Sequence, residues 1–373
     1  MRILYVTDAL AVWGGIERVI SEKLNYLVSH YGYEIFVLTS DQGNHPIPFP
    51  LDDRIVVKDI NIRFHQQYQY CGIRRLKKHR ELEKTFRNCL SSYIKDVNPD
   101  VISCIRDGFV CAILEVKGAI PTIFESHAMY RDVEFEDTTF VHKFTTHLQR
   151  KKFLKLNKIV ALTQGDADDW KRVCNHVCVI PNVVHLNERE VYSTCNNKRC
   201  LFAGRFDYQK NFGAMIRIWE LVQAQYPNWI LDVYGNGKYK SYYEKIVSEK
   251  RLNIHIHPAV PNIFDKYLES SMLLMTSHYE QFGLVLVEAM SCGLPVVAFN
   301  CPYGPADIIH NGIDGYLVEN ENIEAYSNRV CQLIENEQMR QEMGQAAILS
   351  SKRYKADTIM PRWHQLFLDL AKT

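Results

Sequence analysis

No Cys-x2-Cys pair occurs in this chain, although 11 cysteines are scattered over its 373 residues. A zinc knuckle and a disulfide framework both need regular cysteine spacing, so neither is expected, and scattered thiols fit a reducing cytosol. Cys174 and Cys178, four apart, read as small buried hydrophobes. Nor do 18 apolar residues run uninterrupted anywhere, which removes the usual signal for a membrane-spanning helix. Met1-Arg2-Ile3-Leu4-Tyr5-Val6 enters a strand at once and leaves no room for a signal peptide, so a soluble or peripheral protein is expected. An excess of one charge is also missing. The formal net charge is +1, which excludes a wholly basic nucleic-acid binder and makes nucleic acid an unexpected partner. The first strand is not followed by Gly-x-Gly-x-x-Gly; only Gly14-Gly15 stands there, which demotes a nicotinamide-binding reading.

What is present is the composition of an ordinary globular protein, 47% hydrophobic and 23% charged, with length for about two domains. Residues 2–6 form an apolar strand, 8–15 a loop ending in Gly14-Gly15, and 19–27 an amphipathic helix. That geometry offers backbone N–H groups and a positive helix end to phosphate, although a plain tight turn fits the spacing equally. Further strands are expected over 34–40, 55–60, 100–104, 120–125 and 157–163. The second half restarts with a strand over 199–203 and continues with strands over 229–235, 254–256, 272–275, 295–299 and 316–318. Strands alternating with helices predict an α/β chain of two doubly wound parallel sheets. Ile180-Pro181-Asn182-Val183-Val184 marks the boundary between domains over 1–180 and 181–355. A last helix over 356–373 carries Ile359, Trp363, Leu366, Phe367 and Leu370 at helical spacing, and packs either on its own domain or back on the first.

Candidate chemistry concentrates where strands end. Met272-Leu273-Leu274-Met275 feeds Ser277-His278-Tyr279-Glu280-Gln281-Phe282-Gly283-Leu284, and the helix that follows is stopped by Ser291-Cys292-Gly293-Leu294-Pro295. Glu280 is then expected at the mouth of the loop and Glu288 about two turns down the helix, on the same face. The N–H groups of Phe282, Gly283 and Leu284 open that helix as an anion site. After the strand over 199–203, Arg205 and Lys210 flank the turn that starts at Gly204 and are expected to converge on an anion. His127 follows the strand over 120–125, at the carboxyl end where open parallel sheets bind ligands; alone, such a histidine is a structural hydrogen-bonder. Asp166-Ala167-Asp168 reads as acidic residues complementing a first helical turn rather than as a metal pair. Asn311-Gly312 and Asp314-Gly315 read as hairpin-like turns.

Glu-x7-Glu, with Phe-Gly at its start and Ala-Met-Ser-Cys-Gly-Leu-Pro-Val-Val-Ala after it, resembles the retaining nucleotide-sugar glycosyltransferases of the GT-B fold, in particular glycosyltransferase family four. Gly204-Arg205 with Lys210-Asn211 resembles that family's diphosphate motif, and Ile180-Pro181-Asn182 its interdomain turn. The resemblance covers most of the chain and is strongest in the second half. It implies two Rossmann-like domains facing a cleft, with the reaction at the seam and the last helix crossing back to the first domain. It implies that Arg205, Lys210 and the Phe282 to Leu284 amides hold the donor diphosphate, Glu288 the ribose hydroxyls, Glu280 the donor sugar, and His127 the sugar from the opposite side. The Gly14-Gly15 loop would face the diphosphate and the acceptor. Metal and other cofactors are not implied. Relatives place Pro-Glu where the shorter Asp307 stands, and pack the base near His257-Pro258.

The expected function is transfer of a hexose or N-acetylhexosamine from a nucleoside-diphosphate sugar, UDP-sugar favoured, to a hydroxyl of a glycan or lipid-linked oligosaccharide in bacterial surface polysaccharide synthesis. A nucleotide-sugar epimerase or hydrolase of the same fold, a pyridoxal-dependent phosphorylase and a catalytically idle scaffold stay open. Arg74, Arg75, Lys77, Lys78 and Arg80, beside Tyr68 and Tyr70, form a basic cluster, and Arg150, Lys151, Lys152 and Lys155 form a second. Each reads either as a solvated face or as a contact for an anionic membrane surface. A cytoplasmic protein is expected, at the inner face of the membrane if such contacts form.

Overall fold

The computed structural model describes residues 1–128, 130 and 151–372; Arg150 of the second basic cluster lies outside them. The chain divides into two compact units, Met1–Val183 with Ile359–Thr373, and Val184–Thr358.

The first unit is built on seven parallel strands, β1 (Arg2–Thr7), β2 (Glu34–Thr39), β3 (Val56–Asp59), β4 (Val101–Cys104), β5 (Thr122–Ser126), β6 (Lys158–Ala161) and β7 (Val177–Val179). Their order is β3-β2-β1-β4-β5-β6-β7. Helices cover both faces of such a sheet, so its central strands read as unbroken apolar runs. α1 (Gly15–Tyr31) is longer than the 19–27 expected from its apolar stripe, because it starts directly after Gly14 and only Gly32, at φ +64°, stops it. α2 (Gly72–Val97), α3 (Asp107–Val116) and α4 (Gln164–Lys171) follow. The core gathers Leu4 and Val6 from β1, Phe86 and Leu90 from α2, Phe124 from β5 and Trp170 from α4. The C-terminal helix, Ala356–Ala371, adds buried Ile359, Trp363 and Phe367 to this unit, and His364 Nδ1 lies 2.7 Å from the Tyr33 hydroxyl.

The second unit holds six parallel strands, β8 (Arg199–Ala203), β9 (Ile230–Tyr234), β10 (Ile254–His257), β11 (Met272–Met275), β12 (Val296–Phe299) and β13 (Gly315–Val318), in the order β10-β9-β8-β11-β12-β13. Helices α5 (Phe212–Gln225), α6 (Lys240–Glu249), α7 (Phe264–Leu268) and α8 (Leu284–Ser291) lie in the first four connections and α9 (Gly304–Ile308) between β12 and β13. Trp219, Phe202, Phe212, Met272 and Phe299 are fully buried in its core, each such side chain contributing roughly 1.5–3 kcal/mol. The hairpin expected around residues 311–315 is absent. β13 pairs in parallel with β12, so the turn ends a crossover, held by Gly312 N donating to Gly315 O at 2.8 Å and by His310 Nδ1 lying 2.7 Å from Asp314 Oδ2. Among the described residues no helix is long and apolar enough to cross a membrane.

Both sheets reverse direction beside their first strand, between β1 and β4 and between β8 and β11. In a doubly wound sheet the loops leaving the carboxyl ends at that reversal splay apart and leave a crevice for ligand. This points first to the loops after β1 and β4 in one unit, with the end of β5 beside them, and to those after β8 and β11 in the other.

Candidate active site

In the second unit the loop after β8 carries Gly204, Arg205 and Lys210. Gly204 N donates to Tyr234 O, and a side chain on the adjacent Gly235 would strike Gly204 O, its Cβ landing 1.9 Å away. Glycine at 235 therefore lets the loops after β8 and β9 lie backbone to backbone. Lys210 Nζ lies 2.5 Å from Glu280 Oε1 in the loop after β11, and Ser277 Oγ donates to the same oxygen at 2.7 Å. Gln209 ties the two loops as well, its Nε2 donating to Tyr279 O at 3.1 Å and its carbonyl accepting from His278 N at 2.8 Å. Arg205 sits beside them with its side chain 70% exposed, against Asp207 Oδ2 at 3.0 Å and Gln209 Oε1 at 3.3 Å. The two cations expected to converge on an anion thus occupy one loop at the sheet's reversal, each paired with an acidic or amide oxygen.

The helical relation expected between Glu280 and Glu288 does not hold. α8 starts only at Leu284, so Glu280 precedes it by four residues and lies instead in a short bridge with Tyr303. Its N–H donates to Pro302 O at 2.6 Å, and its carbonyl accepts from Tyr303 N at 2.7 Å and Gly304 N at 3.0 Å. The helix is short because Gly283, at φ +101°, breaks the chain's path as its N-cap, a conformation that costs other residues strain. Leu284 is the first helical residue, and buried Phe282 packs edge-on against Tyr354. Glu288 is buried one turn in, not two, and its Oε2 accepts from the Tyr267 hydroxyl at 3.3 Å. The carboxylate at 280 faces the lysine loop; the one at 288 faces α7. Asp307 is half-buried in α9, its carbonyl accepting from the Tyr354 hydroxyl at 3.0 Å.

In the first unit Gly14 is the N-cap of α1 and Gly15 its first residue, in the loop after β1. Asp8 in that loop meets Arg106, after β4, at 2.8 Å, so an ion pair bridges the reversal. Glu17 in the first turn of α1 is buried, and burial raises its carboxyl above the ordinary value. His127 leaves the end of β5 and is buried, its Nε2 3.2 Å from Glu125 Oε2. Glu125 also meets Lys23 Nζ from α1 and accepts from Ser103 Oγ at 2.7 Å. The three side chains line a small cavity with Val19, Leu162, Asn182 and Trp363. Asp166 does more than complement a helix end. Fully buried, it accepts from Ser126 Oγ at 2.8 Å and from Tyr130 N at 3.0 Å, while Trp170 Nε1 donates to the same serine. It clamps both sides of the His127 loop.

Motif reading missed Glu125 and Lys23, yet the signal was present. Lys23 stands between Val19 and Leu27 on the apolar stripe of α1, and Glu125 interrupts the apolar run of β5; a charge at a core position calls for a buried partner. It also missed Asp232, His255 and His257, whose ligating atoms lie within 4.8 Å of one another on the β9–β10 edge. Both oxygens of Asp232 already accept from the Arg199 guanidinium, at 2.7 and 2.9 Å, so the cluster reads as an ion-pair network.

Comparison with known proteins agrees with this layout. Residues 13–188 match the family model described as Glycosyltransferase Family 4, and residues 187–349 match that described as Glycosyl transferases group 1. The amylovoran biosynthesis glycosyltransferase AmsD of Erwinia amylovora is 27% identical, over 98% of this chain and 99% of that protein. A poly(ribitol-phosphate) alpha-N-acetylglucosaminyltransferase of Staphylococcus aureus is 27% identical, over 74% of this chain and 57% of its own length. Among solved structures, S. aureus TarM superposes with a TM-score of 0.78 at 17% identity, over 98% of this chain and 99% of that one. Sucrose-phosphate synthase from Thermosynechococcus elongatus does so with 0.81 at 16%, over 99% and 98%. The fold is GT-B, the two family models meet at residues 187–188, a few residues past Pro181-Asn182, and the chain belongs to the family-4 type of GT-B glycosyltransferases.

Proposed function

We propose that this glycosyltransferase moves a hexose or N-acetylhexosamine from UDP to a hydroxyl of a growing bacterial surface polysaccharide, with retention at the anomeric carbon and without a metal. The observation that carries the reading is the Lys210–Glu280 pair, joined by Gln209, at the reversal point of the second sheet. A cation and a carboxylate there suit the two halves of a nucleotide sugar, its diphosphate and its hydroxyl-rich ring. Relatives support the donor and acceptor classes. AmsD is named for amylovoran biosynthesis, the staphylococcal relative for N-acetylglucosaminyl transfer to poly(ribitol phosphate), and the TarM structure holds UDP.

Cleaving the bond from the anomeric carbon to the diphosphate leaves positive charge on the sugar and sends the electron pair to the departing oxygen. Catalysis then needs cationic and N–H groups placed where that negative charge develops. Arg205, Lys210 and the amides at the start of α8 are the proposed donors; Glu288 is proposed for the ribose and Glu280 for the sugar ring. His127 is proposed as a contact of the donor sugar. Glu280, the carboxylate in these loops, is held by Lys210 and Ser277, so it is assigned to binding rather than covalent attack, and the acceptor hydroxyl attacks on the face that the diphosphate leaves. Its proton passes to the departing phosphate oxygen. The test is a panel of nucleotide sugars with and without glycan acceptors, reading UDP release and product. Release that needs an acceptor supports transfer; turnover or isomerisation of donor alone would favour the epimerase or hydrolase reading instead.

Anionic membrane is proposed as a second partner, through the exposed start of α2. Ile73 and Leu76 stand 73% and 59% exposed among Arg74, Arg75 and Lys77, and Arg75 lies over the exposed ring of Tyr68 at 4.5 Å. Apolar side chains ringed by cations suit an anionic headgroup layer, where each Lys or Arg contributes about 1 kcal/mol. Flotation with phosphatidylglycerol vesicles tests it: binding lost in an Ile73→Ser, Leu76→Ser variant supports it, and equal binding to neutral vesicles refutes it.

A further inference from the structure

Glu125, Lys23 and His127 form a buried polar chain inside the first unit whose direction can be worked out. Lys23 comes from α1, Glu125 from β5 and His127 from the residue after β5; the lysine and glutamate side chains are 3% and 1% exposed. Both carboxylate oxygens of Glu125 are engaged, Oε1 by Ser103 Oγ and Oε2 by Lys23 Nζ and His127 Nε2. Burial pushes this carboxyl upward, but Lys23 and His127 outweigh burial and leave it at about 2. Glu125 is therefore ionised wherever the chain is folded near neutral pH.

An ionised carboxylate accepts hydrogen bonds and has none to give. The imidazole nitrogen 3.2 Å from it must then be the one that carries hydrogen, which fixes the tautomer. Nδ1 has no hydrogen-bond partner among the described residues. Lys23 is anchored in turn: its Nζ lies 4.1 Å from the Trp363 ring centre, so the C-terminal helix holds the lysine that holds the glutamate.

We propose that Glu125 is a positioning residue that locks His127 as the Nε2–H tautomer, leaving Nδ1 as the nitrogen offered to substrate, with Lys23 keeping the carboxylate in place. The inference rests on the donor-sugar role proposed for His127 and adds its polarity. In its neutral form, a ring held this way accepts a hydrogen bond from a sugar hydroxyl at Nδ1 and cannot donate one there. Neither Glu125 nor Lys23 touches substrate; both act through the histidine.

The experiment reads the tautomer directly. Protein labelled with 15N-histidine is examined at pH 8 by two-bond 1H–15N correlation, and the His127 signals are identified by their loss in His127→Gln. The expected result is a single Nε2–H pattern in the wild type and a mixture of tautomers in the Lys23→Met, Glu125→Leu double variant, which leaves no orphaned charge. A Nδ1–H pattern or a mixture in the wild type overturns the proposal, as does an unchanged single pattern in the folded double variant. With a sugar donor and acceptor, the double variant should lose roughly 10- to 100-fold in kcat/KM, the scale of one charge-assisted hydrogen bond. Lys23→Met with Glu125→Gln should recover most of that loss, because an amide oxygen still accepts from Nε2–H. If no transfer is found at all, the donor-sugar role fails while the tautomer measurement still decides the positioning claim.

Discussion

Lys210→Met should weaken UDP binding more than Arg205→Met, although both positions carry one positive charge. Two unit charges 4 Å apart interact by about 4 kcal/mol at an effective dielectric of 20 and by about 1 kcal/mol in bulk water. The Lys210 side chain is only 15% exposed and its environment sits nearer the first limit; Arg205, 70% exposed, sits nearer the second. Lys210 starts from a 2.5 Å pair with Glu280, so sharing it with a diphosphate returns part of the gain, roughly half. The net expectation is about 2 kcal/mol for Lys210 and about 1 kcal/mol for Arg205, or roughly 30-fold and 5-fold in Kd. Calorimetric titration of UDP into each variant measures both. A Lys210→Met effect below threefold, or a larger effect at Arg205, would refute the exposure argument. Glu280→Gln supplies the converse: with its competitor gone, Lys210 should bind UDP at least as tightly while sugar transfer falls.

Four further outcomes follow, two from the buried ion pair and two from the proposed mechanism. Lys23→Met strands the buried Glu125 carboxylate and should cost about 3–5 kcal/mol in a denaturant titration, most of it regained on adding Glu125→Gln. Because Glu125 is held at about 2 against an ordinary 4.5, its stabilising contribution is complete above pH 4.5 and disappears as pH falls through 2. The part of the stability gap between wild type and the Lys23→Met, Glu125→Gln variant that Glu125 carries should therefore shrink only as pH falls below about 4.5, which unfolding midpoints from pH 5 downward will show. Transfer should proceed undiminished in excess EDTA, and proton NMR of the first product should show the donor's own anomeric configuration; an inverted product would eliminate front-face attack.

The architecture was legible because parallel strands covered on both faces spell themselves as apolar runs. Met272-Leu273-Leu274-Met275 is a strand in the sequence and the same strand, β11, in the structure. Strand order is a different matter, since β8 pairs with β11 across 72 residues and nothing local in either run specifies that partner. Periodicity misled where a glycine intervened: eight residues from Glu280 to Glu288 suggest two turns of one face, but Gly283 at φ +101° gives the first four residues to a loop. Lys23 and Glu125 were each visible as a charge out of place, and pairing them required knowing that α1 packs beside β5.

The loop that keeps Glu280 out of the helix also fastens it to its neighbours. Its backbone is bonded three times to the loop after β12, through Pro302, Tyr303 and Gly304, and the neighbouring Tyr279 and His278 are bonded to Gln209. Held outside the helix, Glu280 joins the loop after β12 through its backbone and the loop after β8 through its side chain. With the loops fastened through backbone, the proposed exchange of partners by Lys210 and Glu280 would not require the loops to come apart. On the proposed function, arrival of the donor would free the lysine toward diphosphate and the carboxylate toward sugar hydroxyls together, and departure of UDP would restore the pair.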